Sequence, residues 1–323
     1  MSIFRKTLSC AVLAALGTCA LAGCGRQDTS NEATTSASPE APAAITETIN
    51  ESTAASEQTP TPGTQSTQPA DVTSTPFGQH GALHVENGKL TDADGNIVQL
   101  YGMSTHGIAW FPQYINYDSF RTLRDDWNTN CIRLAMYTAE YGGYCAGGDK
   151  EQLKQLVRDG VSYATELGMY VIVDWHILSD CDPNQNKDEA IAFFREMSEA
   201  FADNDNVLYE ICNEPNSGTS WDSIKSYAEE VIPVIREQKP DAVILVGTPT
   251  WSQEIDKAAA SPLTFDNVMY TLHFYAGTHK DDLRNRLETC AQNNLPVFVS
   301  EFGMCDASGN GANDFDSTTK WLD

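Results

Sequence analysis

The sequence has few basic residues and lacks paired cysteine motifs. It contains 20 Lys and Arg against 45 Asp and Glu, which gives a formal net charge of -25 at pH 7. A nucleic-acid-binding surface needs a basic stripe, so this balance argues against that class of protein. None of the 9 cysteines belongs to a Cys-x-x-Cys pair, which argues against a zinc ribbon or a thioredoxin-type redox site.

Residues 1–23 form a predicted targeting segment. Arg5 and Lys6 supply a positive start, and the apolar segment 8–22 is too short to span a bilayer comfortably. The segment ends in Leu-Ala-Gly before Cys24, which resembles the cleavage box of a bacterial lipoprotein. We therefore expect lipidation of Cys24 and export to a membrane-anchored position, at the cell surface or in the periplasm. An ordinary secretory signal with a chance cysteine is the alternative.

Residues 24–76 form a predicted disordered linker. Ser, Thr and Pro make up half of residues 27–76, which contain no aromatic residue and no Lys or Arg. Such a composition cannot bury enough apolar surface to offset the entropy of ordering the chain. We expect an extended stalk between the membrane and a folded domain.

Residues 77–323 alternate apolar runs with helical patterns, after an Asn87-Gly88 turn that indicates a small hairpin. Strands that are separated by helices are typical of a parallel sheet. The predicted strands are 98–102, 131–136, 170–174, 207–211, 242–246, 268–272 and 296–300, and the predicted helices are 117–127, 150–167, 188–202, 221–238, 280–293, a short one near 254 and a last one near 314.

The predicted fold is a (β/α)₈ TIM barrel, because the folded part is close to the ~250 residues typical of that architecture. Seven strands are present, and an eighth would follow Trp321, where the chain stops. We therefore expect a C-terminally truncated barrel, without strand eight and the last helix. An open doubly wound sheet is the alternative, but residues 102–107 lack the glycine spacing of its phosphate-binding turn.

Polar and aromatic side chains follow all seven predicted strands. In a parallel barrel these positions meet at one face, where such enzymes keep their chemistry. Glu214 and Glu301 follow the fourth and seventh strands, and paired carboxylates of this kind hydrolyse glycosidic bonds. The other residues at these ends are His106 and Trp110, Arg133 and Tyr137, Asp174 to His176, Asn213, Thr250 and Trp251, and His273 to Tyr275.

Residues 81–323 resemble glycoside hydrolase family 5, and most of all its bacterial endo-β-1,4-glucanases. The resemblance implies a retaining hydrolase of internal β-1,4-glucosidic bonds, with Glu214 as acid/base and Glu301 as nucleophile. It also implies that Asn213 holds the sugar 2-hydroxyl and that Arg133 orients the nucleophile. The tryptophan that the family carries on strand eight has no counterpart here. The matching segments are 101–107, 132–133, 173–176, 209–215, 273–275 and 300–303.

The resemblance further implies a catalytic subsite lined by His106, His176, His273 and Tyr275, with Trp110 and Trp251 as sugar platforms. We expect a monomer whose partner is a polysaccharide, a β-glucan, and no cofactor or metal. Residues 182–188 begin like a calcium-binding loop, but Lys187 stands where an EF-hand needs Gly, so we expect no calcium site there. Mannan or xyloglucan remains an alternative substrate, and a non-catalytic glycan-binding protein an alternative function.

Cys145 and Cys181 follow the second and third strands on the predicted active face. An exported compartment permits a disulfide between them. The sequence leaves this pairing open.

Overall fold

The structure, a computed structural model, describes residues 72–323. The predicted signal segment, the lipidation site Cys24 and almost all of the predicted linker lie outside the described residues. The helices are α1 Pro76–His80, α2 Tyr117–Trp127, α3 Lys150–Glu166, α4 Lys187–Ala200, α5 Trp221–Arg236, α6 Pro249–Ser252, α7 Ile255–Ala260, α8 Asp281–Gln292 and α9 Phe315–Leu322, and the strands are β1 His84–Glu86, β2 Lys89–Thr91, β3 Gly102–Ser104, β4 Cys131–Tyr137, β5 Tyr170–His176, β6 Val207–Glu210, β7 Ile244–Val246, β8 Val268–Tyr275 and β9 Val297–Gly303.

Strands β3 to β9 form one parallel sheet whose spatial order follows the chain order. Each strand pairs with the next, and the connections carry helices, so the chain winds as a (β/α)₈ barrel does. The predicted seven-strand parallel sheet is therefore confirmed. Within the described residues, β3 and β9 have one neighbour each.

The first strand of this sheet begins later than the sequence predicts. The apolar run 98–102 was expected to form it, but the ladder with β4 starts at Gly102. Val98 is instead buried beside Leu83 and Leu90, and Leu90 belongs to the β1–β2 hairpin. Val98 thus belongs to the apolar cluster that also contains inward-facing residues of the strands, whereas sheet pairing begins four residues further on.

Helix ends follow local capping chemistry. The Asn116 side chain accepts a hydrogen bond from the Ser119 amide at the start of α2, and Asp149 caps α3 in the same way. These contacts satisfy amides that have no partner inside the helix. Helix α3 then buries Leu153, Val157 and Val161, which share one face at four-residue spacing.

The inward side chains of the strands form two layers. Cys131, Ile172 and Leu208 belong to a buried apolar cluster inside the lower barrel. Because side chains of a strand alternate between its faces, the residues two positions further on also point inward. These residues are Arg133, Asp174 and Glu210, and all three are buried.

A bulge between β8 and β9 changes the pairing in the upper layer. Thr271 pairs with Phe298, but His273 pairs with Glu301. The β9 strand therefore contains one extra residue over this interval, which is the definition of a β-bulge. As a result the consecutive residues Ser300 and Glu301 both reach the barrel interior, where they contact Glu210 and Arg133.

In residues 72–323 we find no helix of the length and apolar character that crossing a membrane requires.

Candidate active site

A layer of charged and polar side chains lies above the apolar lower layer of the barrel, at the carboxyl ends of the strands. Arg133 is at its centre and is buried. Its Nε donates to Glu210 Oε2 at 2.7 Å, and its Nη2 lies 3.0 Å from Asp174 Oδ2. Three carboxylates thus surround one guanidinium, because Nη1 also donates to Glu301 Oε2 at 3.3 Å. The planar fork of arginine suits such multiple contacts.

Glu301 is held by two donors. Arg133 Nη1 contacts one carboxylate oxygen, and the Tyr275 hydroxyl donates to the other at 2.6 Å. Burial alone would raise the pKa of Glu301, but the positive charges of His273 and Arg133 outweigh burial and lower that pKa to about 2. Glu301 is therefore ionised over the whole physiological range, which a nucleophilic carboxylate requires.

Glu214 follows β6, three strands away from Glu301 on β9, and contacts His273. His273 Nδ1 is 2.8 Å from Glu214 Oε1, and His273 Nε2 is 2.9 Å from Ser300 Oγ. Burial would lower the pKa of His273, but its contacts with Glu210 and Glu214 and the nearby charge of Glu301 raise that pKa to about 10. These surrounding carboxylates favour the imidazolium form of His273, in which both ring nitrogens would donate.

Glu214 and Glu301 face each other at the mouth of the barrel. One carboxylate oxygen of each, together with one ring nitrogen of His273, lies within 4.8 Å of the others. This spacing would also allow the three side chains to ligate one cation. The imidazolium form that the neighbouring carboxylates favour for His273 has no free lone pair for a metal.

Asn213 and His176 are fixed by neighbouring strands. Asn213 Oδ1 accepts from Arg133 Nη2 at 2.7 Å, and Asn213 Nδ2 donates to the Ile177 carbonyl at 3.0 Å. His176 Nδ1 lies 2.6 Å from Asp174 Oδ2. Both side chains are buried and have their partners in place before any substrate binds.

An aromatic group lines the mouth on the β3 and β4 side. Tyr137 lies between His176, at a ring centroid distance of 4.0 Å, and Trp110, at 4.7 Å. The indole of Trp110 is oriented by its Nε1, which donates to the Tyr141 carbonyl at 2.7 Å. His106 stacks parallel to Tyr137 at 5.9 Å.

Trp251 is presented by a turn of unusual backbone conformation. Thr250, Trp251 and Ser252 all have φ between 54° and 59°, a left-handed region that non-glycine residues rarely adopt. The Ser252 hydroxyl donates to the Asn213 carbonyl at 2.7 Å, and the Trp251 amide donates to the Pro215 carbonyl at 3.0 Å. The turn therefore attaches Trp251, whose side chain is 45% exposed, directly to the segment that carries Glu214.

The structure brings together the predicted site residues Arg133, His176, Asn213, Glu214, His273, Tyr275 and Glu301, with His106, Trp110 and Trp251 around them. Sequence reasoning did not assign roles to Asp174, Glu210, Ser300 and Tyr137. For Glu210 the sequence does carry a signal: an acidic residue inside a buried apolar strand needs a cationic partner.

The cysteines of the described residues form no disulfide, and the Asp182 loop is held by protein contacts. All six cysteines within residues 72–323 are free, and Cys181 Sγ lies 3.3 Å from Ser217 Oγ instead of pairing with Cys145. The Asp182 carboxylate caps the following turn by accepting from the Asn184 amide at 3.0 Å. It also accepts from the Ser223 hydroxyl at 2.9 Å, so both of its oxygens have protein partners.

Comparison with known proteins gives consistent matches. A protein-family model described as "Cellulase (glycosyl hydrolase family 5)" matches residues 91–323. Endoglucanase A of Butyrivibrio fibrisolvens is 52% identical over 246 residues, which cover 76% of this chain and 57% of that protein. An endoglucanase of Clostridium saccharobutylicum is 48% identical over 260 residues, which cover 80% and 56% of the two chains. This chain thus spans a little more than half of the length of both relatives.

A solved structure matches the fold as well. The catalytic domain of a Thermobifida fusca endoglucanase variant, solved in complex with cellotetraose, aligns with a TM-score of 0.73 at 45% sequence identity. The alignment covers 77% of this chain and 82% of that one.

Proposed function

The chain belongs to glycosyl hydrolase family 5, the cellulase family, and we propose that it is a retaining endo-β-1,4-glucanase that acts on cellulose or related β-glucans. The observation that carries this proposal is the pair of carboxylates at the barrel mouth, where one oxygen of Glu214 lies within 4.8 Å of one oxygen of Glu301. Retaining glycosidases place their carboxyl groups roughly 5–5.5 Å apart, whereas inverting enzymes leave about 6.5–9.5 Å for a water. The spacing here favours the retaining class.

In the first step, a Glu301 oxygen attacks the anomeric carbon and forms a glycosyl-enzyme ester. The electron pair of the breaking C–O bond goes to the leaving oxygen, which takes the proton of Glu214. Arg133 and Tyr275 hold Glu301 ionised and fix its direction of attack. Asn213, held by Arg133, contacts the 2-hydroxyl of the sugar in this proposal.

In the second step, Glu214 is a carboxylate and removes a proton from a water molecule. The oxygen of this water attacks the anomeric carbon from the opposite side and releases Glu301 as a carboxylate. Two inversions give net retention of configuration. His273 donates to Glu214 in both steps, because its Nδ1 lies 2.8 Å from Glu214 Oε1.

The β-glucan substrate is supported by the relatives, which are named endoglucanases, and by the cellotetraose in the Thermobifida fusca complex. Trp110 and Trp251 would stack on sugar rings on either side of the carboxylate pair. Lipidation of Cys24, membrane anchoring at the cell surface or in the periplasm, and a monomeric state belong to the proposal as well. Lipidation and anchoring are supported by the lipoprotein-like sequence before Cys24 and by the Ser/Thr/Pro-rich composition that follows it.

A reducing-sugar assay with the full chain tests the proposal on carboxymethylcellulose, glucomannan and xyloglucan. We expect hydrolysis of carboxymethylcellulose with a rapid fall in viscosity, since endo-acting enzymes cut internal bonds. A Glu214→Gln/Glu301→Gln double variant, prepared in parallel, controls for contaminating hydrolases. Preference for mannan or xyloglucan would correct the substrate, and binding without hydrolysis of any of the three polymers would refute the enzymatic function.

The anchor is tested separately by labelling cells with a radioactive fatty acid. The wild-type chain should take up the label and remain in the membrane fraction, whereas Cys24→Ser should not. A secreted, unlabelled wild-type protein would contradict the lipoprotein assignment.

A further inference from the structure

Glu210 is a buried carboxylate that the proposed mechanism does not use. Its side chain is fully inaccessible to solvent, so it does not touch substrate. One oxygen accepts from Arg133 Nε at 2.7 Å, and the other accepts from the Ser300 hydroxyl at 2.7 Å. Arg133 contacts Glu301, and Ser300 contacts His273, which in turn contacts Glu214. Glu210 therefore joins the two catalytic glutamates through a continuous hydrogen-bonded chain.

The direction of these hydrogen bonds determines where protons lie. An ionised carboxylate only accepts, so the single hydroxyl proton of Ser300 goes to Glu210. Ser300 Oγ must then accept from His273, which places a proton on His273 Nε2. When Glu214 is a carboxylate, His273 Nδ1 must also carry a proton to contact it at 2.8 Å. Whenever Glu214 is a carboxylate, the chain of contacts is thus satisfied by an imidazolium at His273.

The charges around His273 favour the same state. Glu210 Oε1 lies 3.8 Å from His273 Nε2, in the buried interior. Glu214 contacts Nδ1 of His273, and Glu301 is the cross-strand partner of His273 on β9. The charges of Glu214 and Glu301 both change during the proposed reaction, since Glu214 loses its proton and Glu301 becomes an ester. Glu210 is the one of these three acidic neighbours whose charge stays constant through both steps.

We propose that Glu210 is a positioning residue that keeps His273 in its imidazolium form and thereby strengthens Glu214 as the acid of the reaction. This inference rests on the proposed function. As Glu214 gives its proton to the leaving oxygen, its new negative charge receives a charge-assisted hydrogen bond from His273 Nδ1, which is stronger than a neutral one. His273 keeps both of its protons throughout, and no proton passes through Glu210.

The protonation of His273 can be measured without any activity assay. Nitrogen NMR of the full chain, with the signals assigned by a His273→Asn variant, reports whether both ring nitrogens carry protons. We expect a doubly protonated ring in the wild type at neutral pH. The Glu210→Gln variant keeps the size of the side chain but removes its charge. In this variant His273 should lose its second ring proton at a pH at least about one unit lower than in the wild type. A neutral His273 in the wild type at pH 7 would overturn the inference.

Asp180→Asn is the matched control. Asp180 is also a buried carboxylate, but it accepts from the Thr138 hydroxyl and from Asn186 and belongs to a loop. This variant should leave the titration of His273 in place. An equal shift in both variants would show a general effect of losing a buried charge and would also overturn the inference. If Glu210→Gln does not fold, Ser300→Ala should lower the pH at which His273 titrates, by a smaller amount. An unchanged titration in Ser300→Ala would contradict the inference.

Leaving-group dependence connects the titration to the reaction. Dinitrophenolate leaves its cellobioside without acid catalysis, whereas the phenol of phenyl cellobioside leaves only with the proton of Glu214. Glu210→Gln should slow the phenyl substrate at least about tenfold more than the dinitrophenyl substrate, within the range of acid catalysis. Equal losses on both substrates would show a merely structural role. A wild type that cleaves no cellobioside or β-glucan would refute the proposed function, and the His273 titration would still decide the inference.

Discussion

His273 and Glu301 are cross-strand partners, one residue out of the register that a regular ladder would give. Thr271 pairs with Phe298, so regular pairing would place Ser300 opposite His273. The extra residue in β9 moves Glu301 into that position, and the positive charge of His273 is the main opposing influence on the burial that would raise the pKa of Glu301. The bulge thus places the proposed nucleophile beside the cation that keeps it ionised.

Glu301→Ala should abolish activity, because the glycosyl-enzyme ester of the proposed mechanism forms on the Glu301 carboxylate. The expected loss is at least about 10³-fold on aryl cellobiosides. Azide should restore turnover and give the glycosyl azide of opposite configuration, which NMR identifies. Glu288→Ala, on the exposed side of α8, is the control and should behave as the wild type. An azide product of retained configuration would contradict the role of Glu301.

Glu214→Ala should discriminate between substrates. Turnover of substrates with poor leaving groups should fall by about 10²–10⁴-fold, as expected when an acid is removed. Substrates with good leaving groups should still form the glycosyl-enzyme, which then accumulates because no base activates water. Azide should react with this intermediate to give a product of retained configuration. Uniform loss on all substrates would argue against acid/base function.

Glu301 should also contribute to the pH dependence of stability. Its pKa is about 2 in the folded protein against an ordinary value of 4.5. A carboxyl group with a lowered pKa stabilises the fold above its unfolded pKa, and this contribution is lost as the pH falls through 4.5 towards 2. Between pH 6 and pH 3 the free energy of unfolding should fall by about 2 kcal/mol more in the wild type than in Glu301→Gln. Urea denaturation at both pH values measures this, and parallel curves for the two proteins would contradict it.

Trp251→Ala should weaken the binding of long substrates. The indole is 45% exposed next to the segment that carries Glu214, so it offers a face for a sugar ring. We expect KM for cello-oligosaccharides to rise several-fold, which corresponds to about 1 kcal/mol of stacking, with a smaller change in kcat. Trp127→Ala is the control, since Trp127 is 70% exposed at the end of α2. A similar change in KM in both variants would refute a specific sugar-binding role for Trp251.

The sequence by itself determined the elements whose signals are local. Helix α2 begins and ends where the sequence predicts, because Asn116 is a cap that acts on its own neighbours. Strands β4 and β5 begin at the predicted residues, because strands buried on both faces are continuous apolar runs. Since parallel strands present their carboxyl ends at one face, the strand ends also predicted that Glu214 and Glu301 would meet.

Only the tertiary structure decided how these residues are arranged. The bulge in β9 depends on pairing with β8, and the left-handed turn at Trp251 depends on a hydrogen bond from Ser252 to Asn213. Glu210 resembles an isolated acid in the sequence, because its partner Ser300 is 90 residues away along the chain. Periodicity and capping act over a few residues. A buried charge, in contrast, is stabilised by a cationic partner that only the assembled sheet brings next to it.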